Sequence, residues 1–397
     1  MKKKLLIYGL FGIMLFLLSG CSSAGGYYRS GIKSFEKGNY EAAATNFSAA
    51  IANSPNRADY YIDYGMTLIA LERYEEAIEQ FDKAYMDKNI IMVKENNERA
   101  LRGKGIAYYN IQQYEEAISL FDLALNIGVL SELNMDILYY KGSAQMTIGA
   151  YEDARDTYTV ILDTYGKDAE ALGKRAYSYR QLEDYEKSLA DYDMAISMAP
   201  NRYEYYFGKY YLMYNTKDEA GVATILEQAA QIKVDSKEDK YNQAKVHYYQ
   251  GLDDMALAEL SESYANGFTE GYYYIGEIYA RKKDYSTAIY YYQEYIKLGE
   301  NTNPSVYNQA AYCMMSMGDY DQAVGLLEKG IAYDNAATMK ALLRNEIIAY
   351  ENLGDFDIAL EKAEDYLVLY PGDDLAAREA VFLETRQDKA ISQEVEE

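Results

Sequence analysis

One histidine, two cysteines and no tryptophan stand among the 397 residues of this chain. With His247 alone, a single chain cannot assemble a Ser-His-Asp triad, a His-x-x-His metal pair or an H-E-x-x-H zinc site. Two cysteines, Cys21 and Cys313, are too far apart in sequence for a zinc knuckle or a C-x-x-C redox pair. Basic residues are scarce as well: 39 Lys and Arg against 63 Asp and Glu give a formal charge of −24. Binding of nucleic acid through its phosphates needs basic patches and is excluded as a function. Repulsion from anionic headgroups also argues against adhesion by the flank of the molecule, and neutral to basic partners are expected. An acidic exterior that keeps a long chain soluble accounts for most of that charge on its own.

Signs of catalytic chemistry are equally sparse. The run from Gly271 to Gly276 has the glycine spacing of a phosphate loop, but Glu277 stands where the lysine is required. The pairs Asp191/Asp193 and Asp319/Asp321 lack the loop glycine and closing glutamate of a calcium hand. Nothing singles out a carboxylate pair for glycoside hydrolysis. No enzyme, no cofactor and no metal are expected, with a carboxylate-based glycoside hydrolase left as a distant alternative.

What the chain does contain is an interval. An aromatic residue lies three places before a small one at Tyr40/Ala43, Tyr74/Ala77, Tyr114/Ala117, Tyr151/Ala154, Tyr185/Ser188, Tyr285/Ala288, Tyr320/Ala323 and Phe356/Ala359. Such a recurrence marks a repeat architecture. Before each marker, a run with helical apolar spacing closes on a turn such as Gly38-Asn39, Gly149-Ala150, Lys283-Asp284 or Gly318-Asp319. After it comes a second amphipathic helix, in which Ala77, Phe81 and Ala84 share one face. Each unit therefore reads as two antiparallel helices. The first helices repeat a small residue (Gly31, Gly65, Gly105, Gly142, Ala176, Gly276, Ala311). Glycine there costs about 1 kcal/mol relative to alanine. Close approach of the second helix through its small residue is the expected compensation, with the marker aromatics filling the space between hairpins.

These residues resemble the tetratricopeptide repeat, with its W-x2-L-G-x2-Y, A-x3-F and P positions. The fifth unit supplies Leu172, Ala176, Tyr179, Ser188, Tyr192, Ala195 and Pro200; the first supplies Tyr27, Gly31, Ala43, Phe47, Ala50 and Pro55. Tyr or Leu replaces the missing Trp, and the closing proline is kept only at Pro55, Pro200 and Pro371. Residues 203–268 match poorly, although Val222, Leu226 and Ala229 suit a second-helix face. The run from Leu260 to Gly276, with Ala265-Asn266-Gly267, is closer to the related Sel1-type repeat. The resemblance implies an all-α, right-handed solenoid of about ten stacked hairpins over residues 27–373. A capping helix with a charged exterior is expected over 374–390, and a loose acidic tail over 391–397.

The first twenty residues combine Lys2-Lys3-Lys4, an apolar run over 5–18 and Leu18-Ser19-Gly20-Cys21. That is a secretory leader, too short to span a membrane comfortably. Its end resembles a bacterial lipobox, which implies cleavage after Gly20 and lipid on Cys21. Removing the leader lysines brings the formal charge to −27. Residues 21–26 would then be a lipidated tether reaching no more than about 20 Å. The protein would sit on the outer face of the cytoplasmic membrane, or on an outer membrane where the envelope has one. Cys313, left without an intrachain partner, reads as a buried free thiol.

In the tetratricopeptide family the first helices line a concave face that holds peptides or partner helices. Mapped by register, the inward positions are Tyr28, Tyr109, Tyr139, Tyr140, Tyr177, Tyr211, Tyr214, His247, Tyr273, Tyr274 and Tyr312. Tyrosine pairs an apolar face with a polar tip, which suits recognition. The competing reading is packing, since the chain holds 47 tyrosines. Capture of a partner's C-terminal carboxylate, known in the family, would fall to Arg99, Arg102 and Lys174, but the accompanying asparagines are missing. The resulting expectation is a membrane-anchored, extracytoplasmic scaffold for protein or peptide partners. A binder of cell-wall glycan is the alternative.

Overall fold

The structure, a computed structural model, describes residues 23–299, 303–333 and 336–394. All regular structure in it is α-helical, and its 21 helices pack as stacked hairpins, with a single helix after the last of them. The described residues divide into two compact units, one up to residue 225 and one from residue 226.

Every one of the eight aromatic markers is the first residue of a helix, as in Tyr40–Asn53, Tyr74–Ala84, Tyr151–Tyr165 and Phe356–Leu369. The small residue three places on is fully buried in all eight (Ala43, Ala77, Ala117, Ala154, Ser188, Ala288, Ala323, Ala359). The markers themselves are only half-buried, which corrects the expectation that they fill the space between hairpins. That space is taken by the side chain four places after the small residue: Phe47, Phe81, Phe121, Tyr158, Tyr192 and Tyr292, none more than 2% exposed.

These rings also explain the glycines, and differently from the expected contact with the small residues. A Cβ on Gly31, Gly65, Gly105, Gly142 or Gly276 would lie 2.5–2.7 Å from the ring of its own hairpin's second helix. Phe81 is enclosed from both sides, by Gly65 of its hairpin and by Gly103 of the next, where a Cβ would come within 2.4 Å. Ring packing at this distance compensates for helix-interior glycine.

The turn inside each hairpin requires a left-handed residue. Gly38, Gly149, Gly318 and Gly354 meet the requirement with φ of 73–84°. Glu72, Gln112, Glu183, Lys217 and Lys283 hold the same conformation with φ of 58–64° and a Cβ in place. Left-handed backbone costs a non-glycine residue about 1–2 kcal/mol. Glu183→Gly is therefore expected to raise stability by up to about 1 kcal/mol, since glycine's extra unfolded-state entropy offsets part of the gain. Chemical denaturation of the variant against the parent measures it.

The poorly matching stretch is helical too: Tyr203–Asn215, Glu219–Ala230, Lys237–Tyr249 and Asp253–Ala265. Its two second helices begin with Glu219 and Asp253 in place of the aromatic, and buried Leu226 and Leu260 stand where the ring would be. That double replacement is why the marker fails there. Cys313 is buried, and burial pushes its thiol up to about 12.

The ends depart from expectation. Cys21 and the leader lie outside the described residues. The helix Ser23–Glu36 already starts inside the segment expected to be a tether, because Ala24 packs into a cluster with Ala50 and Tyr60. At the other end the terminal helix runs Asp374–Glu394, past the boundary expected at residue 391, with no glycine or proline to stop it. It buries Ala376, Ala380 and Leu383 against Ile347, Ala359 and Tyr366, yet Leu375, Val381 and Phe382 are 44–66% exposed. Its outer surface is thus less polar than a purely charged cap.

One carboxylate of the last hairpin makes docking of this helix depend on pH. Burial and the Glu379 carboxylate of the terminal helix push the Glu351 carboxyl up to about 7, against the pull of Arg344. A carboxyl whose pKa is raised by folding stabilises the folded form when protonated. Its contribution is complete below the ordinary glutamate value and lost as pH rises through about 7. Melting of the parent should therefore lose more stability between about pH 5 and about pH 8 than melting of Glu351→Gln does.

Candidate functional site

The tyrosines on the first helices fall into two groups according to what their hydroxyls meet. In the first group a carboxylate of a neighbouring element holds the phenol. The Tyr28 hydroxyl donates to Asp63 Oδ2 at 2.5 Å, and its ring stacks on Tyr60 at 4.4 Å. Tyr139 donates to Asp168 Oδ1 at 2.5 Å, and the same oxygen accepts from Ala171 N as the cap of the helix Ala169–Gln181. Tyr241 and Glu270 (2.6 Å) repeat the arrangement in the second unit, and Tyr366, on the second helix Phe356–Leu369, makes the same kind of tie to Asp373 (2.6 Å). Burial and the neighbouring carboxylate both raise the Tyr28 and Tyr139 pKa values, so these phenols remain donors. They are ties between successive elements.

Other residues expected in the groove are packed. Tyr140 is buried edge-on to Tyr109 and stacked near Phe121, and burial raises it to about 12. Tyr274 is buried against Tyr248, Tyr249 and Tyr273. The Tyr273 hydroxyl accepts from Ser305 Oγ at 3.2 Å, and its ring lies beside those of Tyr292 and Tyr295. His247 is buried, with Nδ1 2.6 Å from Glu259 Oε2 and Nε2 3.4 Å from Gln243. Tyr312 is exposed and touches Tyr285 edge-on.

The remaining candidates converge within the first unit. Tyr109 from the helix Ile91–Asn110, Ser143, Met146 and Thr147 from Ser131–Thr147, and Lys174 and Tyr177 from Ala169–Gln181 line one pocket. Tyr151, the first residue of its helix, closes it; the volume is about 380 Å³. Burial raises the Tyr109 and Tyr151 phenols, which therefore present donor hydroxyls at neutral pH. Beyond the pocket the Arg180 guanidinium lies 5.0 Å over the Tyr177 ring and 5.6 Å over Tyr211. Tyr211 and the 65%-exposed Tyr214 both pack on Tyr210. Three consecutive first helices thus share a pocket, and Arg180 carries the aromatic surface on to a fourth. Sequence reasoning missed Arg180, Ser143, Met146, Thr147 and Tyr151. Lys174, Tyr177 and Arg180 at helical spacing were the available signal.

The basic residues considered for carboxylate capture are divided. Arg99 binds the buried Asp63 at 2.9 Å, and Arg102 binds Asp136 at 2.6 Å. Both are inter-hairpin ion pairs. Lys174 alone lines the pocket.

The tetratricopeptide repeat profile matches residues 30–89, 141–203 and 241–302, three stretches that each contain a complete hairpin described above. These stretches are tetratricopeptide repeats, and the fold is a tetratricopeptide-repeat solenoid. Domains built from this repeat bind protein or peptide partners, and proteins made of it are generally non-catalytic scaffolds. Several solved structures are similar to this repeat protein. A tetratricopeptide repeat protein from Parabacteroides merdae is 17% identical over 63% of this chain and 98% of that one, with a TM-score of 0.49. PilF from Pseudomonas aeruginosa is 18% identical over 56% and 97%, with a TM-score of 0.44. YrrB, described as a repeat protein with an unusual peptide-binding site, is 20% identical over 50% and 97%, at 0.41. No curated protein matches the sequence.

Proposed function

We propose that this repeat protein is an exported scaffold, anchored by lipid on Cys21, that holds an extended segment of a partner protein against the first helices of its first unit. The observation that carries the binding reading is the convergence of Tyr109, Tyr151, Tyr177 and Lys174, from successive hairpins, on one pocket. Its chemistry suits a polypeptide: flat apolar ring faces for side chains, phenol and ammonium donors for main-chain carbonyls, and Thr147 and Ser143 hydroxyls for either polar partner. The acidic remainder of the surface favours approach of a neutral or basic segment. Anchoring rests on the sequence Leu18-Ser19-Gly20-Cys21. It would place the scaffold on the membrane surface, where envelope complexes assemble.

The double variant Tyr109→Ala/Tyr177→Ala tests the binding reading by crosslinking pull-down from intact cells. Two interface aromatics at about 1–2 kcal/mol each predict a loss of partner capture of about tenfold or more, with helical circular dichroism retained. An unchanged set of captured proteins would move recognition off this face. Co-sedimentation with purified wall material in place of captured protein would favour the glycan alternative. Anchoring is tested separately, since Cys21→Ser should release the protein from membranes.

A further inference from the structure

The helix Ile91–Asn110 is longer than its neighbours, and the additional length lies entirely at its start. It begins fourteen residues before Gly105, whereas Ala58–Ala70 begins seven before Gly65 and Ser23–Glu36 eight before Gly31. These glycines hold one register against the rings that cover them. Its start therefore overhangs those two preceding helix starts by six or seven residues, about 10 Å, and the start of the following helix Ser131–Thr147, which lies eleven before Gly142, by three residues, about 4–5 Å. First helices run parallel, so the overhang projects from the edge at which the first helix starts.

Its tip is apolar and outward-facing. Ile90, Ile91 and Met92 are 57%, 61% and 59% exposed, and Tyr85 at the foot of the connection is 50% exposed. Four exposed large apolar side chains gathered at a projecting tip form a patch that needs an explanation. The tip is also held in place. Asn97, itself buried, accepts from Met86 N at 3.0 Å and donates to Met86 O at 2.7 Å, closing the connection onto its own helix.

We propose that this tip rests in the interfacial layer of the lipid bilayer. The inference depends on the lipid-anchor reading of Cys21, and the chain length makes the two meet. With helix starting at Ser23, only two residue steps separate it from Cys21, a reach of about 7 Å. An anchored protein then has its edge of first-helix starts on the bilayer, and the overhanging helix is the part of that edge that protrudes. The net negative charge disfavours broad adhesion, but Lys88 and Lys94 offset Asp87 and Glu95 around the tip. A second attachment point also benefits from the effective concentration that the lipid already provides. Two contacts fix the orientation of the first unit on the membrane, where one lipid would leave it free to swing.

The test uses full-length lipidated protein in vesicles of phosphatidylethanolamine and phosphatidylglycerol that carry a nitroxide-labelled lipid. A fluorophore is placed on Ile91→Cys, and in a second sample on Lys37→Cys, at the exposed turn on the opposite edge. Buried Cys313 leaves the introduced thiol as the reactive one. Quenching of about twofold or more is expected at position 91, as for a group seated 5–10 Å into the interface, and none at position 37. Protein that floats with the vesicles but is equally unquenched at both positions overturns the tip contact and leaves the anchor standing. Protein that does not float removes the anchor, and the contact with it.

Discussion

Phe81→Ala is expected to cost about 3–5 kcal/mol, the range for truncating a fully buried aromatic. The ring is 1% exposed and lies between two glycines of successive hairpins, Gly65 and Gly103. Those glycines have no side chains to relax into the space, so the cavity stays open. In a repeat array, stability is set by each unit and its contacts with its neighbours. The variant should therefore separate the melting of residues upstream and downstream of this junction, visible as a broadened or split thermal transition. The reciprocal change gives the opposite geometry and the same sign. Gly103→Ala places a Cβ within 2.4 Å of the ring and should cost about 1–3 kcal/mol by overpacking. Phe81→Leu in the Gly103→Ala background should recover part of that loss. Retention of a single sharp transition in Phe81→Ala would mean that the ring is not what couples the hairpins.

Asp63→Ala is expected to have a similar effect by an electrostatic route. Asp63 is 3% exposed and receives the Tyr28 hydroxyl at 2.5 Å and Arg99 at 2.9 Å, so one carboxylate joins three successive first helices. Removing one partner of a buried ion pair typically costs about 3–5 kcal/mol, because the other charge is left without compensation. Replacing the group as a whole is a different matter. Tyr28→Phe/Asp63→Leu/Arg99→Met removes every polar member and should be far closer to neutral. Urea unfolding of the single and triple variants distinguishes the cases. A triple variant as unstable as the single one would show that the hydrogen bonds themselves, and not the unpaired charge, supply the stability.

The hairpins were legible because their determinants are local. An aromatic at the first turn, a small residue three places on and a ring after four more all lie within one helix, and their spacing can be read without a partner. The reason for the glycines was not legible in the same way. Gly65 and Phe81 are sixteen residues apart, and only their contact shows that the ring, and not Ala77, is what the glycine admits. The two hairpins between residues 203 and 265 were obscured because Leu226 and Leu260 do the work of the ring without being aromatic.

The candidate site was legible in part. The register placed Tyr109 and Tyr177 on one face, and the two line the same pocket. It could not separate them from Tyr139, whose hydroxyl is held by an aspartate 29 residues away. Adjacent positions on a helix differ by about 100° in direction. Tyr140 accordingly turns into the packed interior while Tyr139 reaches the next hairpin. Which of 47 tyrosines are ties and which are surface is a property of the carboxylates around them, and those are supplied by other hairpins.

The most direct test of the account is photocrosslinking in intact cells from two positions of the first unit. A photoreactive amino acid replaces Thr147, at the exposed rim of the pocket, or Leu123, which is 50% exposed on a second helix. Crosslinks to a small set of polypeptides from position 147, absent from position 123 and lost in Tyr109→Ala/Tyr177→Ala, are the predicted result. Crosslinks from position 123 alone, or crosslinks from position 147 that survive loss of both tyrosines, would contradict it.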